Sequence, residues 1–497
     1  MADVSGNGHG CDVLVVGGGG AGLAAAIEAA DAGARVVLVE KNPALGGTTA
    51  WSIGSFTATR TPQQLAAGVD DSADEHFADM PKFAGPLAAR DNEKLRRLLV
   101  DNATDTLRWL MGHGVEFFGP MPEPPHTKPR MHNVLPNSRA YIHRLGRHAR
   151  RIGVDIRLAT RAQRFLVERG RVVGVACDGA AGEIRARRAV VLASGDYAAS
   201  PELKAKYISP EVALVDAMNP TATGDGHLMA FPLGAHVVNG DVLSGPTLRF
   251  VPPAKETLLK RLPPSRALAR LIRFVMKYVP QRLQRPFIMG FMTTTMAPEL
   301  ELFSGGALLV NRLGARITGE PRTLGLRIAA EPDKIGFVVM DEPLARKFSA
   351  WPHFISTAPG VAYAYMDDYR RSRPDIFRRA ATLGELAGLL GMDPRALERS
   401  VAAHNEAAAA AGVAPLATPP FYALGPAKSY IVLTDGGLAV NERLQVLGEG
   451  DRPIAGLYAA GSAGQGGLML KGHGHHIGWA FTSGRIAGRN AAGEAPV

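Results

Sequence analysis

The chain reads Asp12-Val-Leu-Val-Val-Gly17-Gly-Gly19-Gly-Ala-Gly22, a valine-rich run that leads into closely spaced glycines. An alanine-rich run follows, and then a second valine-rich run that ends at Glu40. This pattern predicts a buried parallel strand, a helix and a second strand. Gly17 allows the tight turn, Gly19 lets the backbone approach a pyrophosphate, and Gly22 lets the helix pack close to the strand. We therefore expect a dinucleotide at the helix N-terminus, with Glu40 accepting hydrogen bonds from a ribose hydroxyl.

Further glycine-rich and strand-like segments extend over nearly the whole chain. They are Gly46-Gly-Thr-Thr-Ala-Trp-Ser52, Val190-Val-Leu-Ala-Ser194-Gly195, Thr223-Gly-Asp-Gly226, Val310-Asn-Arg-Leu-Gly-Ala-Arg316, Asp435-Gly-Gly-Leu438 and Gly456-Leu-Tyr-Ala-Ala-Gly461. With these segments the chain resembles the fumarate reductase/succinate dehydrogenase flavoprotein superfamily. The first of them is most similar to the 3-ketosteroid dehydrogenase branch. The resemblance implies FAD as the cofactor.

The resemblance also implies which residues hold FAD. No histidine stands just after Thr49, where complex-bound relatives tether the flavin, so we expect non-covalent binding. The expected cofactor-binding residues are Gly17, Gly19, Ala21, Gly22, Glu40, Lys41, Gly46, Gly47, Thr48, Thr49, Ser52, Ala162, Ser194, Gly195, Asp225, Gly461, Ser462 and Ile477.

Length and composition fit an α/β protein with two domains. The chain has 497 residues, of which 46% are hydrophobic, and this is enough for two sizeable cores. Helical runs alternate with valine-rich runs, which is typical of the α/β class. We expect a Rossmann-type FAD-binding domain with a parallel sheet over residues 1–234 and 426–497. Residues 235–425 lack dinucleotide signals and are expected to form an inserted α+β substrate, or capping, domain.

The sequence also bears on location and electron transfer. We find no apolar stretch that predicts a signal peptide or a transmembrane helix. Cys11 and Cys177 make no disulfide framework and suit a reducing compartment, so we expect a cytoplasmic protein. No second G-x-G-x-x-G follows a strand. Electrons are therefore expected to come from, or go to, another protein or a soluble acceptor.

Most of the net charge of +10 comes from residues 254–285, which hold nine basic residues and one acidic residue. Ser265 can cap a helix in this segment and Pro280 can end it. A helical repeat separates a basic stripe from an apolar face, namely Arg266, Arg270, Arg273 and Lys277 from Leu268, Leu271, Ile272, Val275 and Val279. The pattern is typical of a membrane-surface helix over 260–285, or of a surface helix packed on its own domain with solvated arginines outward. We favour the second interpretation. Nucleic acid is not expected as a partner, because the segment lacks the aromatic pattern of a stacking surface.

The resemblance sets an expectation for proton transfer. Fumarate reductases of the superfamily use an arginine for the proton, and its position here falls on Leu324. The steroid dehydrogenases carry a tyrosine at about the same place. Neither group is present, which argues against reduction of a C4-dicarboxylate. Arg322 and Arg327 are close in sequence, and Arg322 is kept as a candidate.

The C-terminal glycine loop carries the other candidate catalytic residues. Lys471 falls near the arginine with which fumarate reductases hold a substrate carboxylate, and it can bind an anion as a point charge. His473, His475 and His476 titrate near neutrality and could donate or relay a proton. No carboxylate or cysteine is near them in sequence, so we expect no metal site. The candidates are His473, His475, Lys471 and Arg322.

Large apolar side chains at 287–296, 351–354 and 363–366 suit a broad apolar pocket. We expect an FAD-dependent oxidoreductase that acts on a CH–CH bond next to a carbonyl. It would desaturate a small apolar cyclic ketone such as a 3-ketosteroid, or reduce an enone. Two alternatives stay open. One is reduction of a fumarate-like unsaturated carboxylate held by Lys471 and Arg322; the other is a non-redox flavin-binding hydratase, isomerase or partner protein.

Overall fold

The predicted strand–helix–strand unit lies in the middle of the larger sheet of the computed structural model. The strand Gly10–Val16 pairs in parallel with Val36–Val39 on one side and with Glu183–Leu192 on the other. The strands of the larger sheet lie in the spatial order Gln445–Leu447, Pro453–Ala459, Glu183–Leu192, Gly10–Val16, Val36–Val39 and Asp155–Arg157. A hairpin formed by Ala162–Glu168 and Arg171–Cys177 is attached to Glu183–Leu192. The structure describes residues 10–253, 262–280, 283–285, 289–290, 293–294, 296–358 and 362–497.

Helices from near the two ends of the described chain pack against each other beside this sheet. The helix Gly20–Asp31 packs against the last helix, His475–Ala492. A β-carbon at Gly484 would lie 2.3 Å from the carbonyl oxygen of Ala21, and Gly488 stands in the same relation to Ala25. Only glycine allows the two helices to approach so closely. The C-terminal segment therefore completes the layer on which the first glycine turn rests.

A second sheet is built on the long strand Phe421–Ile431. It is antiparallel except for one short parallel pair. Its strands are Asp216–Ala217, Thr247–Phe250, Leu308–Asn311, Ile335–Met340, Phe377–Ala380 and Phe421–Ile431. A separate hydrophobic core surrounds it and includes Met289 and Met296. The division into 1–234, 235–425 and 426–497 stays a prediction.

Smaller sheets and the helices complete the described fold. The smaller sheets are Ser55–Thr57 with Met131–Leu135 and Glu116–Met121, Val237–Val238 with Gly437–Leu438, Leu243–Ser244 with Leu433–Thr434, and Ser356–Ala358 with Ala362–Ala364. The α-helices are Gly20–Asp31, Gly47–Trp51, Pro62–Ala66, Ala73–Asp79, Pro81–Ala84, Glu93–Gly112, Arg139–Arg151, Pro201–Tyr207, Pro210–Ala213, Asp225–Ala230, Arg266–Tyr278, Leu300–Ser304, Leu324–Ala329, Glu342–Lys347, Met366–Ser372, Leu383–Leu390, Pro394–Ala410 and His475–Ala492. Among the described residues, no helix has the length and apolar composition needed to cross a bilayer.

The basic helix forms where the sequence predicts it. Ser265 caps the helix Arg266–Tyr278 by accepting a hydrogen bond from the backbone of Leu268. The carboxylate of Glu116 pairs with Arg266, Arg270 and Arg273, whose side chains stay 45–59% exposed. The expected solvent-exposed arginines are therefore present. Part of the apolar face is exposed as well, namely Leu271, Phe274, Val275 and Tyr278, so this face is not fully packed on the domain. Lys255, Lys260, Arg261 and Arg282 lie outside the described residues.

Candidate active site

A cavity at the carboxyl ends of the central parallel strands collects most of the predicted cofactor residues. Those that line it are Gly17, Gly19, Ala21, Glu40, Lys41, Gly47, Thr48, Thr49, Ala162, Ser194, Gly195, Asp225, Gly461 and Ser462. Ligands of open α/β sheets bind at this edge. The first glycine turn, the second glycine pair and the last glycine loop therefore converge on one site.

The glycine turn has the geometry that a pyrophosphate needs. Gly17 has φ of +111°, and a β-carbon on it would lie 2.4 Å from the carbonyl oxygen of Ala193. Gly19, by contrast, has no neighbour closer than 3.8 Å to such a β-carbon, so its open side faces the cavity. The buried hydroxyl of Ser194 has no hydrogen-bond partner among the described residues and is left to a ligand. These groups fit a dinucleotide cofactor.

Glu40 is held in place for a ribose. Its Oε2 accepts a hydrogen bond from the backbone of Gly18 at 2.7 Å, and its Oε1 accepts one from the backbone of Asn42 at 2.9 Å. The side chain is buried and lines the cavity. The Asn42 side chain also donates to Oε1, at 2.7 Å. A carboxylate oxygen has two lone pairs, so Oε2 is the oxygen that can still accept from a ribose hydroxyl.

Three charged side chains lie together at the rim of the cavity. Lys41 and Arg161 both donate to the carboxylate of Asp225, each at 2.8 Å. Burial alone would raise the pKa of Asp225, but the hydrogen bonds and charges of Lys41 and Arg161 outweigh it and lower that pKa. Asp225 is therefore an anion that holds Lys41 and Arg161 at the cavity.

Four predicted cofactor residues support the site without lining it. A β-carbon on Gly22 would lie 1.9 Å from the carbonyl oxygen of Gly17, so this glycine serves helix packing. Gly46 donates its N–H to Gly18, Ser52 donates to the Thr49 carbonyl at the end of the helix Gly47–Trp51, and Ile477 is buried in the last helix. Several lining residues were missed because they follow no motif, namely Asn42, Thr160, Arg161, Asn219 and Thr221. Of these residues, Asn219 and Thr221 could have been found from the sequence, because they stand in a polar run that follows the helix Pro210–Ala213.

The C-terminal glycine loop brings Lys471 and His476 to one buried acid. Lys471 Nζ lies 2.5 Å from Asp435 Oδ2, and His476 Nε2 lies 3.4 Å from Asp435 Oδ1. Asp435 stands two residues before Gly437, and a β-carbon on Gly437 would lie 2.8 Å from the carbonyl oxygen of Ser462, which lines the cavity. The segment that carries Asp435 thus contacts the cavity lining, although Asp435, Lys471 and His476 do not line the cavity themselves.

Two other candidate catalytic residues, His473 and Arg322, have different surroundings. His473 Nδ1 lies 2.5 Å from Glu123 Oε1, and this pairing raises the pKa of His473. Arg322 is exposed and makes no side-chain hydrogen bond or ion pair with the described residues, so the structure gives it no partner in the site. Leu324 is buried in the second core, with no polar group of its own to move a proton.

His475 has a different position from the one expected of a catalytic group. It is buried, and its Nε2 lies 3.0 Å from Nε2 of His76, with His126 beside both rings. The expectation of no metal site relied on spacing along the chain and stays a prediction. The fold nevertheless brings together histidines that are 399 positions apart in the sequence.

The apolar stretches expected around a substrate separate into two groups. Met289 and Met296 belong to the second core. Trp351, Phe354 and Tyr363 form an aromatic cluster in which Trp351 is 65% exposed, and the ring centres of Phe354 and Tyr363 are 4.8 Å apart. Residues 287, 288, 291, 292 and 295 of the first stretch lie outside the described residues.

Known proteins give an independent view of this arrangement. A family model described as an FAD binding domain matches residues 12–259 and 296–470. The NADH:fumarate oxidoreductase of Klebsiella pneumoniae is 27% identical over 90% of the chain, which spans 44% of that relative's length. The fumarate reductase (cytochrome) of Shewanella frigidimarina is 26% identical over 97% of the chain and 77% of its own length. The urocanate reductase of Eggerthella lenta is 26% identical over 97% of the chain and 74% of its own length.

Solved structures share the fold. The open conformation of a flavocytochrome c3 fumarate reductase matches with a TM-score of 0.71 and 26% identity over 97% of the chain and 78% of that structure. The 3-ketosteroid-Δ4-(5α)-dehydrogenase of Rhodococcus jostii RHA1 matches with a TM-score of 0.58 and 24% identity over 98% of both chains. The chain therefore belongs to the FAD binding domain family and is an FAD-dependent oxidoreductase of the fumarate reductase/succinate dehydrogenase flavoprotein superfamily.

Proposed function

We propose that the chain reduces a carbon–carbon double bond conjugated to a carbonyl group. The observation that carries this proposal is the ion pair of Lys471 with Asp435 beside the cofactor cavity. Of the candidate proton donors, Lys471 is the cation that pairs with the buried Asp435. The segment that carries Asp435 contacts Ser462, which lines the cavity. The relatives named fumarate reductase and urocanate reductase support the reaction class.

The residues of this cluster have separate roles. When bound and reduced by an external electron donor, FAD would supply the hydride for one carbon of the double bond, and the neighbouring carbon must gain a proton. Lys471 carries a proton on its ammonium group and is the proposed donor. Asp435 is a positioning residue, because it accepts from Lys471 Nζ and from Gln465 Nε2 and so fixes the ammonium group. His476 shares the same carboxylate.

The substrate class follows from what replaces the expected arginines. Leu324 offers no charge where fumarate reductases of the superfamily carry an arginine, and Arg322 is exposed. Lys471 alone can bind one carbonyl or carboxylate as a point charge and lacks the two-pronged geometry of an arginine. We therefore propose a substrate with one carbonyl or one carboxylate, rather than a C4-dicarboxylate.

Reoxidation of reduced flavin tests this proposal. The enzyme would be reduced anaerobically with dithionite and mixed with an unsaturated monocarboxylate, a cyclic enone or fumarate, while the flavin absorbance is recorded. We expect fast reoxidation by the acid or the enone and slower reoxidation by fumarate. Preference for fumarate would contradict the proposed substrate class. No reoxidation by any compound would favour the non-redox hydratase, isomerase or partner protein.

A second candidate is desaturation of a small apolar cyclic ketone such as a 3-ketosteroid. The observation that favours it is the apolar outer surface. The helix Arg266–Tyr278 exposes part of its apolar face, and the aromatic cluster at Trp351 is also exposed. Such surfaces suit contact with a lipid bilayer from which an apolar substrate could enter. Bleaching of the oxidised flavin by saturated cyclic ketones would support this direction of the reaction.

We also propose an external electron partner and a peripheral place at the membrane of a reducing compartment. The sequence has no second G-x-G-x-x-G after a strand, so electrons would be exchanged with another protein or a soluble compound. Cys11 and Cys177 are both free and buried, which suits the cytoplasm. We propose that FAD is bound without a covalent link.

A further inference from the structure

Three histidines from distant parts of the chain meet in the protein interior. His76 lies in the helix Ala73–Asp79, His126 follows the strand Glu116–Met121, and His475 begins the helix His475–Ala492. All three side chains are buried, and one ligand atom from each lies within 4.8 Å of the other two. We propose that this trio, His76, His126 and His475, binds one Zn²⁺ ion.

Hydrogen bonding prepares His475 to act as a ligand. Its Nδ1 lies 2.6 Å from the backbone carbonyl oxygen of Lys471. Because a carbonyl only accepts, Nδ1 carries the proton and Nε2 keeps its lone pair. That lone pair points at His76, whose Nε2 lies 3.0 Å away. A carbonyl that orients the distal nitrogen in this way is the usual outer partner of a zinc-bound histidine.

The protein itself leaves nitrogens of the trio without partners. Among the described residues, Nδ1 of His76 and Nε2 of His126 make no hydrogen bond although both atoms are buried. A buried polar atom without a partner is unfavourable and calls for an explanation, of which a bound ion is one. A zinc ion would give Nδ1 of His76 a partner directly. Nδ1 of His126 accepts a hydrogen bond from Arg130, which only donates, so Nε2 of that ring carries the proton. The ion would therefore take the place of Arg130 at Nδ1 of His126.

The nearby charge is balanced and does not exclude a cation. Arg130 Nη1 lies 3.1 Å from His126 Nδ1, but Arg130 is itself paired with Asp71 at 2.7 Å and with Asp79. Two carboxylates thus neutralise the guanidinium group. Asp79 also lies 3.8 Å from His126 Nδ1, which places negative charge next to the trio.

The ligand set selects the type of metal and suggests its role. Imidazole nitrogen suits zinc, whereas Mg²⁺ and Ca²⁺ prefer oxygen ligands. Zinc holds nitrogen at about 2.0–2.1 Å. His76 and His475, with Nε2 atoms 3.0 Å apart, are already close together, so binding would mainly require His126 to approach. The ion would join the helix Ala73–Asp79 and the segment around His126 to the start of the last helix. Through the carbonyl of Lys471 it would also position the glycine loop that carries the proposed proton donor.

Cobalt titration of the flavin-loaded enzyme tests the site. Enzyme prepared without a polyhistidine tag would be stripped with a chelator and titrated with Co²⁺, and then with Zn²⁺ as competitor. We expect one equivalent of Co²⁺ per chain, with cobalt absorption bands that Zn²⁺ removes. Zn²⁺ should also raise the midpoint of thermal unfolding, because an ion that binds only the folded chain stabilises it.

Variants localise the metal. His126→Gln and His475→Gln should weaken Co²⁺ binding by at least about 100-fold while the flavin spectrum stays normal. His148→Gln is the matched control, because His148 and His113 form a separate ring pair with centroids 4.3 Å apart. If His148→Gln removes the bands and His126→Gln does not, the proposed site is wrong. If the variants do not fold, the wild type decides: flavin-loaded enzyme that takes up no stoichiometric Co²⁺ overturns the proposal.

Discussion

Lys471 Nζ lies 2.5 Å from Asp435 Oδ2, and the carboxylate of Asp435 is almost completely buried. Burial alone would raise the pKa of Asp435. The hydrogen bond and charge of His476, and then those of Lys471, reverse this effect and hold the pKa well below its ordinary value. Asp435 is thus an anion that binds two basic side chains of the C-terminal glycine loop, next to the cofactor cavity.

Removal of the Lys471 ammonium group should slow proton transfer. We expect Lys471→Met to lower the rate of substrate-driven flavin reoxidation by roughly 10²–10⁴-fold, the usual contribution of a general acid. Asp435→Asn should lower it as well, because the ammonium group loses its fixed position. The measurement is stopped-flow reoxidation at saturating substrate. Lys94→Met is the control, since Lys94 is exposed and, among the described residues, pairs with Glu442 alone. A normal rate in Lys471→Met would remove Lys471 from the reaction.

Two glycines of the first turn should fail in different ways. A β-carbon on Gly19 meets nothing closer than 3.8 Å, so Gly19→Ala should fold and yet bind less FAD, because the methyl group occupies the place of a phosphate. A β-carbon on Gly22 would lie 1.9 Å from the Gly17 carbonyl oxygen, so Gly22→Ala should lower the unfolding temperature itself. The flavin-to-protein absorbance ratio and the thermal unfolding of each apoprotein separate the two effects. Full flavin content in Gly19→Ala would contradict the assigned role.

The exposed apolar residues of the basic helix should bind lipid. Leu271 and Phe274 are each 58% exposed on the helix Arg266–Tyr278, and the double variant Leu271→Ser, Phe274→Ser removes much of that apolar face. We expect the wild type to co-sediment with anionic liposomes and this variant to stay in the supernatant. Leu65→Ser is the control, because Leu65 is equally exposed on a different helix. Equal sedimentation of all three proteins would rule out this helix as the contact.

His227 should make stability depend on pH. Burial lowers its pKa to about 4, compared with an ordinary value of 6.5 in the unfolded chain. The neutral ring therefore contributes stability that is fully present above about pH 6.5 and is lost as the pH falls toward 4, up to about 3 kcal/mol. Urea unfolding at pH 7.5 and pH 4.5 measures this loss. His227→Gln should show a smaller loss than the wild type over the same interval, and an equal loss would show that His227 does not titrate in this way.

The sequence predicted the parts of the site that one continuous segment builds. The turn from Gly17 to Gly22 and the acid Glu40 follow from spacing, because a strand, a glycine turn and a helix place them by local geometry alone. The helix cap at Ser265 followed in the same way. The predicted cofactor residues from other segments, such as Ala162, Ser194 and Gly461, followed from the family resemblance, and they line the same cavity.

Long-range packing decided the rest, and no local pattern carries that information. Asp435 meets Lys471, Glu116 meets the arginines of a helix 150 residues away, and His76 meets His475 across 399 residues. Each of these contacts exists because a buried charged or polar group must find a partner wherever the fold brings one. The glycine turn and the family resemblance in the sequence thus predicted that the chain binds FAD, which the family model supports. Tertiary structure decided which charges lie at the rim of the cavity, which acid pairs with the arginines of the basic helix, and that three separate histidines share one interior position.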